Sequence, residues 1–111
     1  MLLVRDTNRL VAEAAVKSPL LHEHDAARIA ASRAVLPDVL RTIAMNKEFT
    51  RSYRVKLNLV TNPRTPQTFS LRLVQHLRDA DLRQLAKSKD VPSVIQTAVR
   101  QHLFRKQSGK S

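Results

Sequence analysis

Apolar residues along this chain recur at spacings of three and four, and short polar breaks interrupt them. Aligned on those breaks, four segments share a pattern: IAASRAVLPDVLRTI from Ile29, IAMNKEFTRSYRVKL from Ile43, LVTNPRTPQTFSLRL from Leu59 and LAKSKDVPSVIQTAV from Leu85. In each, an apolar residue closes a helix and Ser or Asn follows three residues later, at Ser32, Asn46, Asn62 and Ser88. A Thr, Pro or Leu about four residues further on opens the next helix. An apolar pair then stands at i and i+4: Val39 and Ile43, Tyr53 and Leu57, Phe69 and Leu73, Ile95 and Val99. Pairs at that spacing lie on one helical face, so each predicts a buried stripe.

The breaks carry the chemistry of chain reversal. In TNPRTP, Pro63 cannot continue a helix, Thr65 is positioned to cap the next one, and Pro66 suits its first position, where a missing N–H is harmless. The same logic starts helices at Pro37 and Pro92, with Asn and Ser doing the turning that Gly otherwise does. The anchors lie 14, 16 and 26 residues apart, and the last interval leaves room for a short helix in LRDADLRQLAK, capped by Asp79 with Leu82 and Leu85 inward. Upstream, VKSPLLHEHDAARIAAS holds a similar break at Ser18 and Pro19, but Asp25 stands where the apolar partner belongs, marking a degenerate unit or a cap. The predicted helices cover 7–16, 23–32, 37–45, 50–60, 66–77, 80–87 and 92–105. Helices this short favour an all-α fold in which they stack as a small HEAT-like right-handed helical-repeat solenoid over residues 1–105, with 106–111 a disordered basic tail. A closed bundle is the alternative arrangement.

Composition supports the helices and removes several chemistries. Ala and Leu supply 27 of the 47 hydrophobic residues of this 111-residue chain. The single glycine, Gly109, leaves no phosphate-cradling glycine loop, and the absence of cysteine removes disulfides, zinc knuckles, iron–sulfur clusters and thiol nucleophiles. No apolar run reaches the roughly 18 residues of a membrane span, and MLLVRD meets charge too soon for a signal peptide, so the expected location is the cytoplasm, away from membranes.

Charge changes the picture further. Residues 1–50 hold seven bases against six acids, whereas residues 51–111 hold thirteen bases against Asp79, Asp81 and Asp90 alone, which gives most of the net +11. Such an imbalance points to a polyanionic partner, either nucleic acid or an acidic protein. The candidate contacts are Arg51, Arg54, Lys56, Arg64, Arg72, Arg78, Arg83, Lys87, Lys89 and Arg100, with Lys56 and Arg72 placed in one register, six residues after Thr50 and Pro66. Helix starts at Pro66 and Pro92 would add N–H donors for phosphate. With only Phe49, Tyr53, Phe69 and Phe104 as aromatics, and Tyr53 and Phe69 on the predicted core stripe, contact with the backbone is expected rather than base stacking.

Other residue groups read as structural. His22, Glu23 and His24 supply metal-ligand types, but i and i+2 diverge on a helix, so a solvated helix start is the plainer reading. His76 and His102 each follow a proline by ten residues, Pro66 and Pro92, and match each other in register. Asp79 and Asp81 read as helix-start acids rather than an acid/base pair. There is no G-x-S-x-G or H-E-x-x-H motif, so the expectation is a non-enzyme with no cofactor and no small-molecule substrate.

The segments LLVRDTNRLV (2–11), TNPRTP (61–66) and LRDADLRQLAKSKDVP (77–92) resemble those of uncharacterised bacterial helical-repeat proteins, similar in style to HEAT and leucine-rich-repeat-variant solenoids. The resemblance covers most of residues 2–103 and implies a repeat architecture without assigning any functional residue. It also implies that Met1 begins a shortened version of the pattern.

Overall fold

The computed structural model describes residues 23–109, with side chains from Glu23 to Lys106. The helix expected over 7–16, the Ser18–Pro19 break and His22 lie outside the described residues. Within them the chain is all-helical: α1 (Glu23–Ala31), α2 (Pro37–Met45), the single turn α3 (Lys47–Thr50), α4 (Tyr53–Thr61), α5 (Gln67–Val74), α6 (Asp79–Lys87) and α7 (Ser93–Gly109).

Local chemistry sets these boundaries. Alanine-rich α1 has Glu23 and Asp25 in its first turn and Arg28 in its last, both favourable to the helix dipole. Pro37 begins α2. Asn46 caps α3, its side-chain oxygen accepting from the N–H groups of Glu48 (2.9 Å) and Phe49 (3.2 Å). Ser52 caps α4 by accepting from Val55 N–H at 3.3 Å, so the helix expected over 50–60 begins at Tyr53, and α3 is an additional turn before it. Two expected caps are corrected. Pro66, not Thr65, occupies the cap position of α5, and Arg78 occupies that of α6, leaving Asp79 as its first helical residue. α5 also ends at Val74, short of the expected 77, and α7 continues to Gly109 through residues assigned to the tail.

Three connections, α1 to α2, α4 to α5 and α6 to α7, are built alike. Ser32, Asn62 and Ser88 each close the first helix with a backbone N–H bond to its last turn. Each then accepts on its side-chain oxygen the N–H two residues ahead: Ala34 at 3.3 Å, Arg64 at 2.9 Å and Asp90 at 3.3 Å. Next comes a buried residue, Val35, Thr65 or Val91. Asn46 closes α2 with its backbone N–H on the Ile43 carbonyl and accepts from Glu48 N–H in the same way, but α3 begins at once after it, so the chain goes on to the first helix of the next pair and not to the second helix of the same one. The alignment of four like segments is therefore corrected to three, and Tyr53–Leu57 falls on the first helix of a pair while the other apolar pairs fall on the second.

No described residue has positive φ, so none of these helices ends in a left-handed residue that would satisfy its last carbonyls. Side chains do so instead. The Asn62 amide donates to the carbonyls of Ala30 and Ser32, both at 2.8 Å, and Asn58 donates to that of Ala27 at 2.8 Å. At α6 the matching carbonyls, of Ala86 and Ser88, receive Arg100 (3.0 Å) and Gln96.

The core forms two clusters with α4 between them. Val55 and Leu59 pack with Ile29, Val39, Leu40 and Ile43. Val60, one residue further round the helix, packs with Leu82, Leu85, Ile95 and Val99, and Tyr53 and Leu57 lie against this second cluster. Phe69, expected on a buried stripe, is half-buried, whereas its counterparts Val39 and Ile95 are buried; its larger ring extends to the surface under Arg72. Tyr53 is likewise half-buried, and its hydroxyl donates to Asp81 and accepts from Arg78 N–H at 3.0 Å. Burial and the Asp81 bond both raise its pKa, with Arg78 opposing.

Asn62 is 3% exposed and its amide engages three backbone groups. Asn62→Ala leaves the Ala30 and Ser32 carbonyls without this donor, and urea unfolding should show a loss of about 3 kcal/mol. Thr65 Oγ1 is buried with no hydrogen-bond partner at a position where the other two connections carry valine. Thr65→Val should therefore raise stability by about 1 kcal/mol in the same measurement, and a loss would show that the hydroxyl is satisfied.

Candidate functional site

The ten candidate cations separate into two groups. Five are engaged within the protein. Arg51 pairs with Glu48 at 3.7 Å on the open surface, where such a pair contributes little. Arg64 donates to the Arg33 carbonyl at 3.1 Å, and Arg100 donates to the Ala86 carbonyl at the C-terminal end of α6. Arg72 lies 5.8 Å from the Phe69 ring centroid and Arg78 lies 4.1 Å from that of Tyr53. The other five, Arg54, Lys56, Arg83, Lys87 and Lys89, make no hydrogen bond or ion pair among the described residues. Lys56 and Arg72 are not in one register: Lys56 belongs to α4 and Arg72 to α5, the two helices of one pair, because Thr50 and Pro66 stand at unlike points of the chain's plan.

The acids account for the imbalance. Asp79 pairs with Lys106 at 2.7 Å, Asp81 accepts from Tyr53, and Asp90 lies 3.4 Å from Arg33. All three carboxylates of residues 51–111 are thus occupied. Lys106, assigned to the tail by sequence, anchors the long α7 onto the start of α6.

The first helices of the pairs carry clefts between them. Between α1 and α4 lies a cleft of about 320 Å³ lined by His24, Ala27, Arg28, Ala31, Arg54 and Asn58. An adjoining one of about 500 Å³ shares His24, Ala27 and Arg54 and adds Glu23 and Ser52. Between α4 and α6 a cleft of about 310 Å³ is lined by Leu57, Asn58, Thr61, Asp81, Gln84, Leu85 and Ser88. The first brings together two arginines and a histidine, whereas the third is mostly neutral amide and hydroxyl. The charge imbalance points to Arg54 but not to Arg28, because residues 1–50 are nearly balanced in charge, and His24 stands out in the sequence only as a metal-ligand type. The signal that finds them is spacing: His24 and Arg28 stand eight and four residues before Ser32, as Arg54 and Asn58 do before Asn62.

A different surface occurs on α7. Phe104 is 69% exposed and shares a concavity of about 460 Å³ with Arg100, Gln101 and Arg105. Among the described residues, no group of three His, Asp or Glu side chains is placed to hold a metal ion, and no helix is long and apolar enough to cross a membrane. Compared with family models, curated proteins and solved structures, the chain matches none.

His102 lies half-buried on α7 with Nε2 buried and without a partner, whereas His76, its counterpart in register, is exposed in the turn after α5. Burial lowers the His102 pKa below 6.5; Lys106 and Arg105 lower it further, and Asp79 opposes them. The unfolded chain therefore takes up this proton at a higher pH than the folded chain does. The His102 contribution to stability is complete above about pH 6.5 and is lost as pH falls through the lower folded value. Urea midpoints measured from pH 7.5 to 5 should fall in the wild type and fall less steeply in His102→Gln; parallel curves would refute the role of His102.

Proposed function

We propose that this chain is a non-enzymatic, cytoplasmic helical-repeat module, HEAT-like in its stacking of short helix pairs, that holds nucleic-acid backbone against its basic surface without sequence preference. The observation that carries the reading is the occupation of Asp79, Asp81 and Asp90, which leaves Arg54, Lys56, Arg83, Lys87 and Lys89 without a carboxylate. Uncompensated cations on a rigid helical surface gain most from phosphates, whose condensed counterions they release. The three like connections support the repeat plan. Half-burial of Tyr53 and Phe69, each beneath an arginine, keeps both rings from serving as open stacking platforms, in keeping with backbone contact.

A second reading, docking of an acidic protein, is favoured by one feature: exposed Phe104 flanked by Arg100 and Arg105, an apolar anchor inside a basic rim. Fluorescence anisotropy with mixed-sequence duplex DNA, duplex RNA and polyglutamate, at about 50 and 200 mM salt, separates the two. The nucleic-acid reading expects binding to both duplexes, with log K falling against log salt with a slope of about −4 or steeper, from five or more phosphate contacts. Binding to polyglutamate alone, abolished by Phe104→Asp, would overturn it in favour of the second.

A further inference from the structure

We infer that the cleft between α1 and α4 is a seat for a phosphodiester group of the nucleic-acid backbone, with Arg28 and Arg54 as its charge partners and His24 and Asn58 as flanking hydrogen-bond donors. This inference rests on the nucleic-acid reading above and gives it a location.

The geometry comes from register. His24 and Arg28 stand eight and four residues before Ser32, and Arg54 and Asn58 stand eight and four residues before Asn62. Spacing of four puts each pair on one face of its helix. The Asn62 bonds to Ala30 and Ser32, and the Asn58 bond to Ala27, hold the two helix ends in matching register. The result is one cleft with both pairs on its walls. Ala27 and Ala31 complete the lining with methyl groups, which leaves room for a tetrahedral anion between the longer side chains.

The chemistry of the four residues favours phosphate. Two guanidinium groups present planar donor forks that match phosphate oxygens. One Asn58 N–H is held by the Ala27 carbonyl, leaving a second donor on the same nitrogen. Arg54 has no partner among the described residues, and there Arg28 has only Asp25, half-buried and at 4.0 Å, the outer limit of contact. Glu23 lies in the adjoining cleft, beyond His24 and Arg54. At α6 the corresponding positions hold Ala80 and Gln84, and the α4–α6 cleft has Asp81 as its one charged group. The same stacking thus yields a cationic cleft in one place and, in the next, one whose single charged group is a carboxylate.

The test compares two pairs of substitutions that remove equal charge. Binding to mixed-sequence duplex DNA is measured for the wild type, Arg28→Gln/Arg54→Gln and Arg83→Gln/Lys87→Gln at two salt concentrations, with far-UV circular dichroism and the Tm as checks of folding. The expected result is a loss of at least about tenfold for the cleft pair, with the salt slope reduced by about two, and a smaller loss for the α6 pair. Ala31→Glu, an exposed substitution on the cleft wall that leaves every cation in place, should weaken binding as well. Equal losses for the two pairs, or an Ala31→Glu protein that binds like the wild type, would overturn the seat while leaving the nucleic-acid reading intact. A wild type that binds no duplex would instead overturn that reading.

Discussion

The Asn62 side chain is the contact on which this architecture turns. A helix that ends without a left-handed residue leaves its last carbonyls in need of donors, and burial makes that need costly. Asn62 answers it for α1 by placing one amide against two carbonyls of the preceding helix end, while its own oxygen organises the turn into α5. Gln96 and Arg100 answer it for α6 from the opposite direction, out of α7. Since these bonds join one helix pair to another, or one helix to its partner, the ends of the helices and their packing form together.

That constraint orders both the interior and the surface. With α1 and α4 held in register, α4 presents Val55 and Leu59 to one core and Val60 to the other, so a nine-residue helix serves two hydrophobic clusters. The same register aligns His24 with Arg54 and Arg28 with Asn58 on the outer side. Meanwhile Arg64, Arg78 and Arg100 are drawn into backbone or aromatic contacts, and the acids of the second half into Lys106, Tyr53 and Arg33. The basic surface that remains is a residue of structural pairing, smaller than the sequence total and more sharply placed.

Much of the helical plan was legible because its signals are local. Proline at Pro37, Pro66 and Pro92, Ser or Asn at the three helix ends, and apolar pairs four apart all act within one or two turns of chain. The errors arose where one local signal has two meanings. Asn46 and Asn62 each close a helix with the backbone N–H and accept the N–H two residues ahead, yet Asn46 opens α3 at once whereas Asn62 donates its amide back to α1 and leads through Pro66 into α5. Ser52 was read as helix interior although its hydroxyl caps α4. Phe69 sits on a core-facing position but its ring is too large to be covered there, so it carries Arg72 at the surface.

Local sequence is enough to make residues 23–109 helical, to place most of their helix ends and to give the second half its strongly basic character, because propensity, capping and charge count depend on residues near one another in the chain. Only the tertiary structure decided which cations are engaged and which stand free, and that Arg28 of one helix faces the same cleft as Arg54 of another. Those two residues are 26 positions apart. What joins them is the stacking of α1 on α4 through Asn58 and Asn62: the spacing before Ser32 and Asn62 sets their positions on each helix, and the packing of the two helices brings those positions together.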